Sequence, residues 1–230
     1  MNKLCSVLGI EKPIIQGPMA WISTAPLVAA VSNAGGLGVL GVGFAPDEFV
    51  IAQVMKTKKL TDKPFGINTV LIPENLDRVT DLIIEIKPPV VYADTLLDLD
   101  VDLCKKYFSR TDAVVHPNVK KAVIDSKDMD TVITGYATGE PCRQFKNKLS
   151  EEIEKIEAEN IRSIAAEKLK PVAESSLKRA MMEGDMDNGA VMAGQIAALI
   201  NKTQPAAEIL DTILVDAQKR LKEIVNFSFQ

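Results

Sequence analysis

The sequence predicts an α/β fold built on a parallel sheet. Apolar strand-like runs alternate with helix-like segments in the first part of the chain, and those runs carry no charged residues. Strands of a parallel sheet are covered on both faces by helices, so they read as continuous apolar stretches. The chain has 230 residues, 47% hydrophobic and 25% charged, which suits one large domain or one domain with an accessory segment.

The alternating part is predicted element by element. Ser23 or Thr24 is a candidate N-cap for the first helix, Pro26 suits its first turn, and Gly35 is a stop signal. The helix that starts at Asp47 separates apolar and charged residues onto opposite faces. The predicted strands are 13–16, 37–42, 64–72 and 88–93, and the helices between them are 24–33, 47–59 and 75–86.

The pattern changes after residue 93. Residues 94–109 match neither a strand nor a helix, and the chain is predicted to be mainly helical from Asn118 onward. The charge-rich helix at 151–170 is either a solvated face over a narrow apolar seam or a partner-binding coiled coil. The predicted helices are 118–125, 151–170, 174–183, 189–201 and 205–225. The expected domains are 1–93, an irregular junction at 94–117 and a helical C-terminal region at 118–230.

Composition excludes several classes of function. The net charge of −4 and pI of about 5.2 argue against a nucleic-acid binder. The single histidine, His116, rules out multi-histidine metal sites, and no metal site is expected. Cys5, Cys104 and Cys142 form no C-x-x-C pair, which favours a reducing cytoplasm.

No membrane or export signal is predicted. The stretch from Pro13 to Asp47 lacks charge before its last residue, but closely spaced glycines and prolines interrupt it, so it reads as a buried βα start. The first ten residues lack a long apolar run and a small-residue cleavage pattern, so we expect no signal peptide.

Glycines mark two stretches near the start of the chain. The turn at 16–20 closes the first strand, where parallel α/β folds bind ligands; Gly17 would let a flat ligand approach, although an ordinary βα turn is the alternative. The glycines at 35–38 follow a helix and open a strand, the reverse of a phosphate-binding loop. A helix C-cap and close packing explain them better.

Three further segments are ambiguous. Asn68 lies in an apolar strand, and its amide is either bonded within the barrel or aimed at a ligand. Small residues at 192–195, ending in Gly194 and Gln195, allow close approach to a planar ring but also suit helix packing. His116 precedes Pro117 and a predicted helix, so we expect a structural or surface role.

Several of these segments, in order, resemble one family. The chain is similar to the FMN-dependent nitronate monooxygenase and enoyl-ACP reductase II family over roughly 1–93 and 113–225. Residues 146–149 and 192–195 look more like the reductase. The matching stretches are 14–21, 30–39, 63–68, 116–118, Arg143 with 146–149, and 183–185 leading into 189–197.

The resemblance implies a TIM barrel with FMN at the carboxyl ends of the strands. Asn68 would bond to the flavin ring or its ribityl side, and Gly194 and Gln195 would cover the ring. A reductase would take NAD(P)H and an enoyl thioester on acyl carrier protein, as in fatty acid biosynthesis; a monooxygenase would take a small nitronate. A homodimer is left open. The residues that would line the ring are Gly17, Pro18, Met19 and Ala20.

The chain also departs from the family. A complete barrel needs about 250 residues, whereas the alternating part supplies about four βα units. The Gly-Gly-His motif and the two glycine-rich phosphate loops of the family do not occur. His116 matches a different stretch, so no catalytic residue is assigned. We expect an incomplete (β/α)8 TIM-type barrel followed by a helical C-terminal region, with impaired activity; an inactive remnant, a binding module and a gene artefact remain alternatives.

Overall fold

The computed structural model describes residues 2–43, 45–70, 76–94 and 115–225. They fall into two compact units. The first is drawn from Met1–Pro18, Ser23–Thr95 and Gln204–Gln230, and the second from Met19–Ile22 and Leu96–Thr203. Residues 95–114 of the expected junction lie outside the described residues, so that part of the prediction is untested.

Helices and strands follow one another in the first part of the chain as the sequence predicts. The strands are β1 (Ile15–Gln16), β2 (Leu37–Leu40), β3 (Phe65–Val70), β4 (Val90–Asp94), β5 (Thr131–Thr134) and β6 (Cys142–Phe145). The α-helices are α1 (Lys3–Leu8), α2 (Ala25–Asn33), α3 (Asp47–Leu60), α4 (Leu76–Ile86), α5 (Pro117–Asp125), α6 (Lys148–Glu159), α7 (Arg162–Ala173), α8 (Ser176–Lys178) and α9 (Ala206–Val225). Short π and 3₁₀ helices occupy Arg179–Glu183 and Gln195–Leu199.

The first unit contains a four-stranded parallel sheet in the order β1-β2-β3-β4. Ile15 pairs with Leu37, and Gly66 pairs with Val90. One face of the sheet packs on α2, α3 and α4 through buried residues that include Leu40, Val54 and Ile67. The four predicted strands and the α/β class are therefore confirmed.

Glycine makes close packing of α2 on β2 possible. A Cβ on Gly38 would lie 2.2 Å from the carbonyl oxygen of Val28 in α2. Gly35 follows the end of α2 with φ of 92°, a left-handed conformation that favours glycine. The interpretation of this stretch as a cap and a packing contact, rather than a phosphate loop, is confirmed.

The second unit contains strands that the sequence analysis missed. β5 and β6 form an antiparallel hairpin, with Thr131 opposite Phe145. The expectation of a mainly helical chain from Asn118 onward is wrong here. The run Thr131-Val132-Ile133-Thr134 is β-branched throughout, and glycines punctuate the following loop, which is the usual signal for a hairpin.

Two predicted helices also differ. The single helix expected at 151–170 is two helices, α6 and α7, interrupted at Asn160 and Ile161. Ile153 of the expected stripe is buried, whereas Ile161 is 69% exposed, so the stripe does not form one seam. The helix expected at 189–201 is 3₁₀ over Gln195–Leu199 only.

The residues before that 3₁₀ helix are extended. Met192 forms an antiparallel bridge with Gln144 of β6. The small residues of this stretch suit an extended segment lying along a strand as well as they suit a helix, which explains the error. Earlier in the chain, the helical stretch predicted to end at residue 183 ends at Gly184, whose φ is 72°.

The last helix belongs to the first unit. Leu210 of α9 is fully buried, and a Cβ on Gly36, at the end of α2, would lie 2.9 Å from its Cδ2. Lys12 forms an ion pair with Asp211 at 2.6 Å. The sequence analysis places this helix in the C-terminal region 118–230, whereas its contacts with Gly36 and Lys12 belong to the first unit.

Candidate functional site

The turn after β1 is fixed by the side chain of Gln16, which is fully buried. Its Oε1 accepts from the backbone N–H of Val39 and its Nε2 donates to the Val39 carbonyl, both at 3.3 Å. The same Nε2 donates to Ser23 Oγ at 2.7 Å and to the Gly17 carbonyl. The amide therefore acts as one more rung of the β1–β2 ladder and anchors both ends of the turn.

Open space lies beside Gly17. Among the residues that the structure describes, a Cβ built on Gly17 would meet no heavy atom within 4 Å. The backbone of Gly17 is not left-handed, so the turn itself does not require glycine. A planar group could lie against the backbone here, and the predicted role of Gly17 in ligand approach has the room that it needs.

The rest of the turn is distributed over both units. Gly17 and Pro18 belong to the first, and Met19 and Ala20 to the second. Met19 is buried, and its carbonyl accepts from the N–H of Ile22 at 3.1 Å. Between them lies Trp21, whose φ of 65° places a bulky residue in the left-handed region.

Asn68 of β3 is buried, and the oxygen of its side-chain amide has a hydrogen-bond partner within the fold. Its Oδ1 accepts from the backbone N–H of Gly43 at 3.1 Å. Because the oxygen end of the amide is held in this way, the remaining face of Asn68 is the donor Nδ2. One of the two alternatives from the sequence, bonding within the fold, is therefore present, and it leaves a hydrogen-bond donor for a second role.

A small cavity of about 20 Å³ adjoins Asn68. Its lining includes Gly43, Thr69 and Arg78. Thr69 Oγ1 is buried without a hydrogen-bond partner, and a space of this size holds about one water molecule. The cavity is too small for a substrate.

Gly194 and Gln195 follow the extended segment on β6. The N–H of Phe145 donates to the Val191 carbonyl at 3.0 Å, and the N–H of Ala193 donates to the Arg143 carbonyl at 3.2 Å. Gly194 is extended and buried, and its carbonyl accepts from Ala197 N–H at 3.0 Å. These backbone bonds, rather than a helix, fix the position of Gly194; Gln195 is exposed.

The comparisons with known proteins give the family. A model of the nitronate monooxygenase family matches residues 2–92 and 100–216. The chain belongs to this family. The resemblance inferred from the sequence motifs is thereby confirmed at the level of the family.

Individual relatives of the family match a shorter stretch. The nitronate monooxygenase of Paraburkholderia phytofirmans is 57% identical over 65 residues, 28% of this chain and 18% of that protein. A (3aS,4S,5R,7aS)-5-hydroxy-7a-methyl-1-oxo-octahydro-1H-indene-4-carboxyl-CoA dehydrogenase from Mycobacterium tuberculosis is 45% identical over 65 residues, with the same coverage. The match thus spans less than a fifth of the length of these curated relatives.

Solved structures support the fold over the whole chain. FabK from Thermotoga maritima superposes with a TM-score of 0.85 at 24% identity, covering 99% of each chain. A nitroalkane oxidase from Streptomyces ansochromogenes gives a TM-score of 0.65 at 18% identity, covering 96% of this chain and all of that one. The α/β fold is therefore the TIM-barrel type of these proteins.

Two of the family stretches adjoin in the second unit. Asn147 caps α6 by accepting from Ser150 N–H at 2.9 Å, and its Nδ2 donates to the carbonyls of Met186 and Gly189, both at 2.8 Å. Lys148 forms an ion pair with Asp187 at 2.7 Å. Residues 146–149 therefore stabilise the turn that leads to residues 190–195, and their role in the described contacts is structural.

His116 has a structural place, as its sequence context predicts. Its Nδ1 accepts from Asn118 N–H at 3.2 Å and so caps α5. A Cβ on Gly184 would lie 2.1 Å from the same nitrogen, so the ring packs directly on that glycine.

Electrostatics adds little chemistry to these residues. Hydrogen bonds from the backbone and side chain of Asn188 lower the pKa of Asp185, and burial followed by the charge of Glu140 raises the pKa of the Cys142 thiol. Within 2–43, 45–70, 76–94 and 115–225, no cluster of three His, Cys, Asp or Glu side chains could hold a metal. In the same ranges no helix is long and apolar enough to span a membrane.

Sequence reasoning gave Gln16 no role of its own within the turn at 16–20 and treated Ser23 only as a candidate N-cap. A signal was available, because Gln16 is an amide at the end of an apolar strand, directly before the candidate turn. A polar residue at that point must find buried partners, and Ser23, which starts the next helical segment, is within reach. Their contribution is to position Gly17.

Proposed function

We propose that this chain is an FMN-dependent oxidoreductase of the enoyl-ACP reductase II type, which uses NAD(P)H to reduce enoyl thioesters. Membership of the family supports a flavin enzyme. The Met192–Gln195 and Lys146–Leu149 stretches, which look more like the reductase, favour this substrate class. The substrate would be a small thioester or one carried on acyl carrier protein, in the cytoplasm.

The open space beside Gly17 carries the proposal. It lies at the carboxyl end of β1, where parallel α/β folds place their ligands. The buried Gln16 amide holds the backbone on both sides of it, so the space is pre-organised. Residues here fit the edge of a flavin ring, and FMN, when bound, supplies hydride transfer.

We assign the remaining contacts by residue type. Asn68 would donate through Nδ2 to an oxygen of the ring or of the ribityl chain, since its Oδ1 is held by Gly43. The backbone amides of Met19 and Ala20 would bond to the ring edge, next to Gly17 and Pro18. Gly194 and Gln195 would cover the ring, with Gly194 allowing the close approach.

The phosphate group of FMN has no binding loop of the kind that the resembled family uses. The two glycine-rich loops that hold it in the resembled family do not occur in this sequence, and neither does the Gly-Gly-His motif. We attribute both gaps to an internal deletion between Tyr92 and Thr111 that removed the second half of the barrel. Affinity for FMN is then low, and the activity is impaired.

Oxidation of alkyl nitronates is the second candidate. The observation that favours it is the 57% identity to a nitronate monooxygenase over 65 residues. In this reaction a nitronate is the electron donor and oxygen is the acceptor, so NAD(P)H is not consumed. An inactive remnant or a binding module is the third reading, and it predicts neither reaction.

One purification and a paired assay test the proposals. The full chain is purified, its flavin absorbance is read, and it is then titrated with FMN. NAD(P)H oxidation with a crotonyl thioester is compared with oxygen uptake on an alkyl nitronate. Thioester-dependent turnover supports the reductase, nitronate-dependent turnover supports the monooxygenase, and absence of both overturns the enzyme proposal.

A variant at Gly17 tests the site itself. Gly17→Val places a side chain in the open space, where its Cβ meets no heavy atom of the described residues within 4 Å. FMN affinity should fall by about tenfold or more, equivalent to a loss of ~1.4 kcal/mol, while the far-UV spectrum is unchanged. Ala207→Val on the exposed start of α9 is the matched control. Equal FMN affinity in the two variants would contradict the placement.

A further inference from the structure

Trp21 combines a bulky side chain with a left-handed backbone, at φ of 65°. This conformation costs an L-residue stability because Cβ crowds the backbone, and bulky residues rarely adopt it. A strained residue of this kind persists where surrounding contacts enforce it, often beside a functional site. Trp21 directly follows Met19 and Ala20, so the strained residue belongs to the same turn as their backbone amides.

Contacts within the second unit hold Trp21 on both sides. Met19 is 6% exposed and Ile22 is 2% exposed, so both neighbours are fixed by burial. The bond from Ile22 N–H to the Met19 carbonyl closes the turn at 3.1 Å. The ammonium of Lys178 lies over the indole, 5.6 Å from the ring centroid, within the range of a cation–π contact.

The backbone that carries Lys178 is itself anchored. The guanidinium of the next residue, Arg179, donates to the carbonyls of Glu174 at 2.6 Å, Val172 at 3.2 Å and Asn188 at 3.2 Å. A π-helical turn begins at Arg179, and such turns are frequent at functional sites. Lys178 therefore projects from a fixed base towards Trp21.

We propose that Lys178 is a positioning residue for the turn that receives the flavin. Its ammonium favours the indole orientation that goes with the left-handed backbone at Trp21, and so stabilises the turn that carries the amides of Met19 and Ala20. The part of this inference that concerns FMN rests on the proposed function. The part that concerns Trp21 does not, because it is a property of the chain without any ligand.

The environment of Trp21 can be measured from its own spectroscopic signals. Trp21 is the sole tryptophan of the chain, so fluorescence emission and near-UV circular dichroism at indole wavelengths report this side chain alone. The full-length chain is compared with Lys178→Met, which keeps the length and removes the charge, and with Lys178→Arg, which keeps the charge. Lys155→Met, on the exposed face of α6, is the matched control.

We expect Lys178→Met to lose the near-UV indole signal and to shift the emission, while its far-UV spectrum stays the same. Lys178→Arg should retain both signals of the wild type, and Lys155→Met should leave them unchanged. Indole signals of Lys178→Met that equal those of the wild type would overturn the proposal. So would a loss that Lys178→Arg fails to restore, because size rather than charge would then be responsible.

FMN titration gives the second readout, followed by quenching of Trp21 emission. Lys178→Met should bind FMN about two- to fivefold more weakly, the worth of an exposed cation–π contact, and Lys178→Arg should bind as the wild type does. If the wild type binds no FMN, the flavin proposal fails while the indole signals still decide the role of Lys178. If FMN binds equally to all variants, the positioning role is overturned.

Discussion

The interactions inside each of the two units differ. In the first, apolar residues that recur with helix or strand periodicity meet in a core that includes Leu40, Val54 and Ile67. In the second, a smaller core around Leu149, Ile153 and Leu169 is accompanied by side chains that bond to backbone groups of loops and turns. Side chains bond to the backbone in both units: in the first these bonds include those of Gln16 and Asn68 at the sheet, and in the second they reach into loops and turns.

Side-chain-to-backbone bonds in the second unit fix loops that have no regular structure. Glu157 on α6 accepts from the N–H groups of Gly135 at 3.3 Å and Ala137 at 2.7 Å in the β5–β6 loop. Asn118 Nδ2 donates to the Gly184 carbonyl at 3.0 Å. A unit of this kind loses order locally when one polar side chain is removed, whereas an apolar core loses stability more broadly.

Truncation in the core of the first unit should have the largest effect. Leu40→Ala in β2 removes a fully buried side chain, and the lost burial and the cavity together should lower the free energy of unfolding by about 2–5 kcal/mol. Denaturant unfolding measures the change, and hydrogen exchange should show faster exchange across β1–β3. The control is Met55→Ala, at a side chain that is 54% exposed in α3; an effect as large as that of Leu40→Ala would contradict the assignment of the core.

Removal of the α6 cap should have an intermediate and local effect. Asn147→Ala loses the cap to Ser150 and leaves the carbonyls of Met186 and Gly189 without their donor. We expect a loss of about 1–3 kcal/mol, with hydrogen exchange raised at 147–150 and 186–191. Asn201→Ala, at an exposed position, is the control. Exchange raised equally throughout the first unit would show that the cap does not act locally.

This contrast explains how much of the fold the sequence predicts. The four strands and the helices α2, α3 and α4 before residue 94 follow from apolar period and from end signals such as Pro26 and Gly35, because burial selects those patterns directly; α1 is not predicted. The β5–β6 hairpin has a local signal in its β-branched strand and loop glycines that the sequence analysis missed, whereas the extended segment at 190–194 depends on hydrogen bonds to the distant β6. The pairing of Gln144 with Met192 has no local signature, so periodicity does not find it.

In the candidate site, too, the sequence predicts some features and leaves others open. Glycine at position 17 and an amide at position 68 mark the ligand end of the sheet by residue type alone. The bond that orients Asn68 comes from Gly43, in the next loop, and the support of Gly17 comes from Gln16 and Ser23. Such contacts are set by the tertiary fold, so the sequence indicates which residues matter and leaves their partners open.

The cap of α5 tests the structural role of His116. His116→Ala should cost about 1 kcal/mol, typical for loss of an N-cap, because the Asn118 N–H loses its acceptor. His116→Asn should restore most of the loss, since asparagine is among the best N-cap residues. Thermal unfolding of both variants measures this. Equal losses in both would indicate that ring packing on Gly184, rather than the cap, is what His116 contributes.

The smallest effect should be a dependence on acid at Asp185, at the turn that follows Gly184. Its carboxylate accepts from the N–H of Asn188 at 2.9 Å, from the Asn188 side chain and from the N–H of Asp187 at 3.0 Å. These bonds lower the pKa of Asp185 below its ordinary value. The folded state therefore favours the carboxylate. Its contribution is complete above about pH 4–5, the range of an unfolded aspartate, and is lost as the pH falls through the lowered value.

Comparison of the wild type with Asp185→Asn isolates that contribution, since the other carboxylates titrate in both proteins. The wild type should have the higher Tm at neutral pH, because the charged acceptor is stronger than the neutral amide. The difference in Tm should stay constant down to about pH 5 and shrink as the carboxyl group is protonated in the folded state. A difference that is the same at pH 7 and pH 2 would show that the charge of the Asp185 carboxylate contributes nothing to stability.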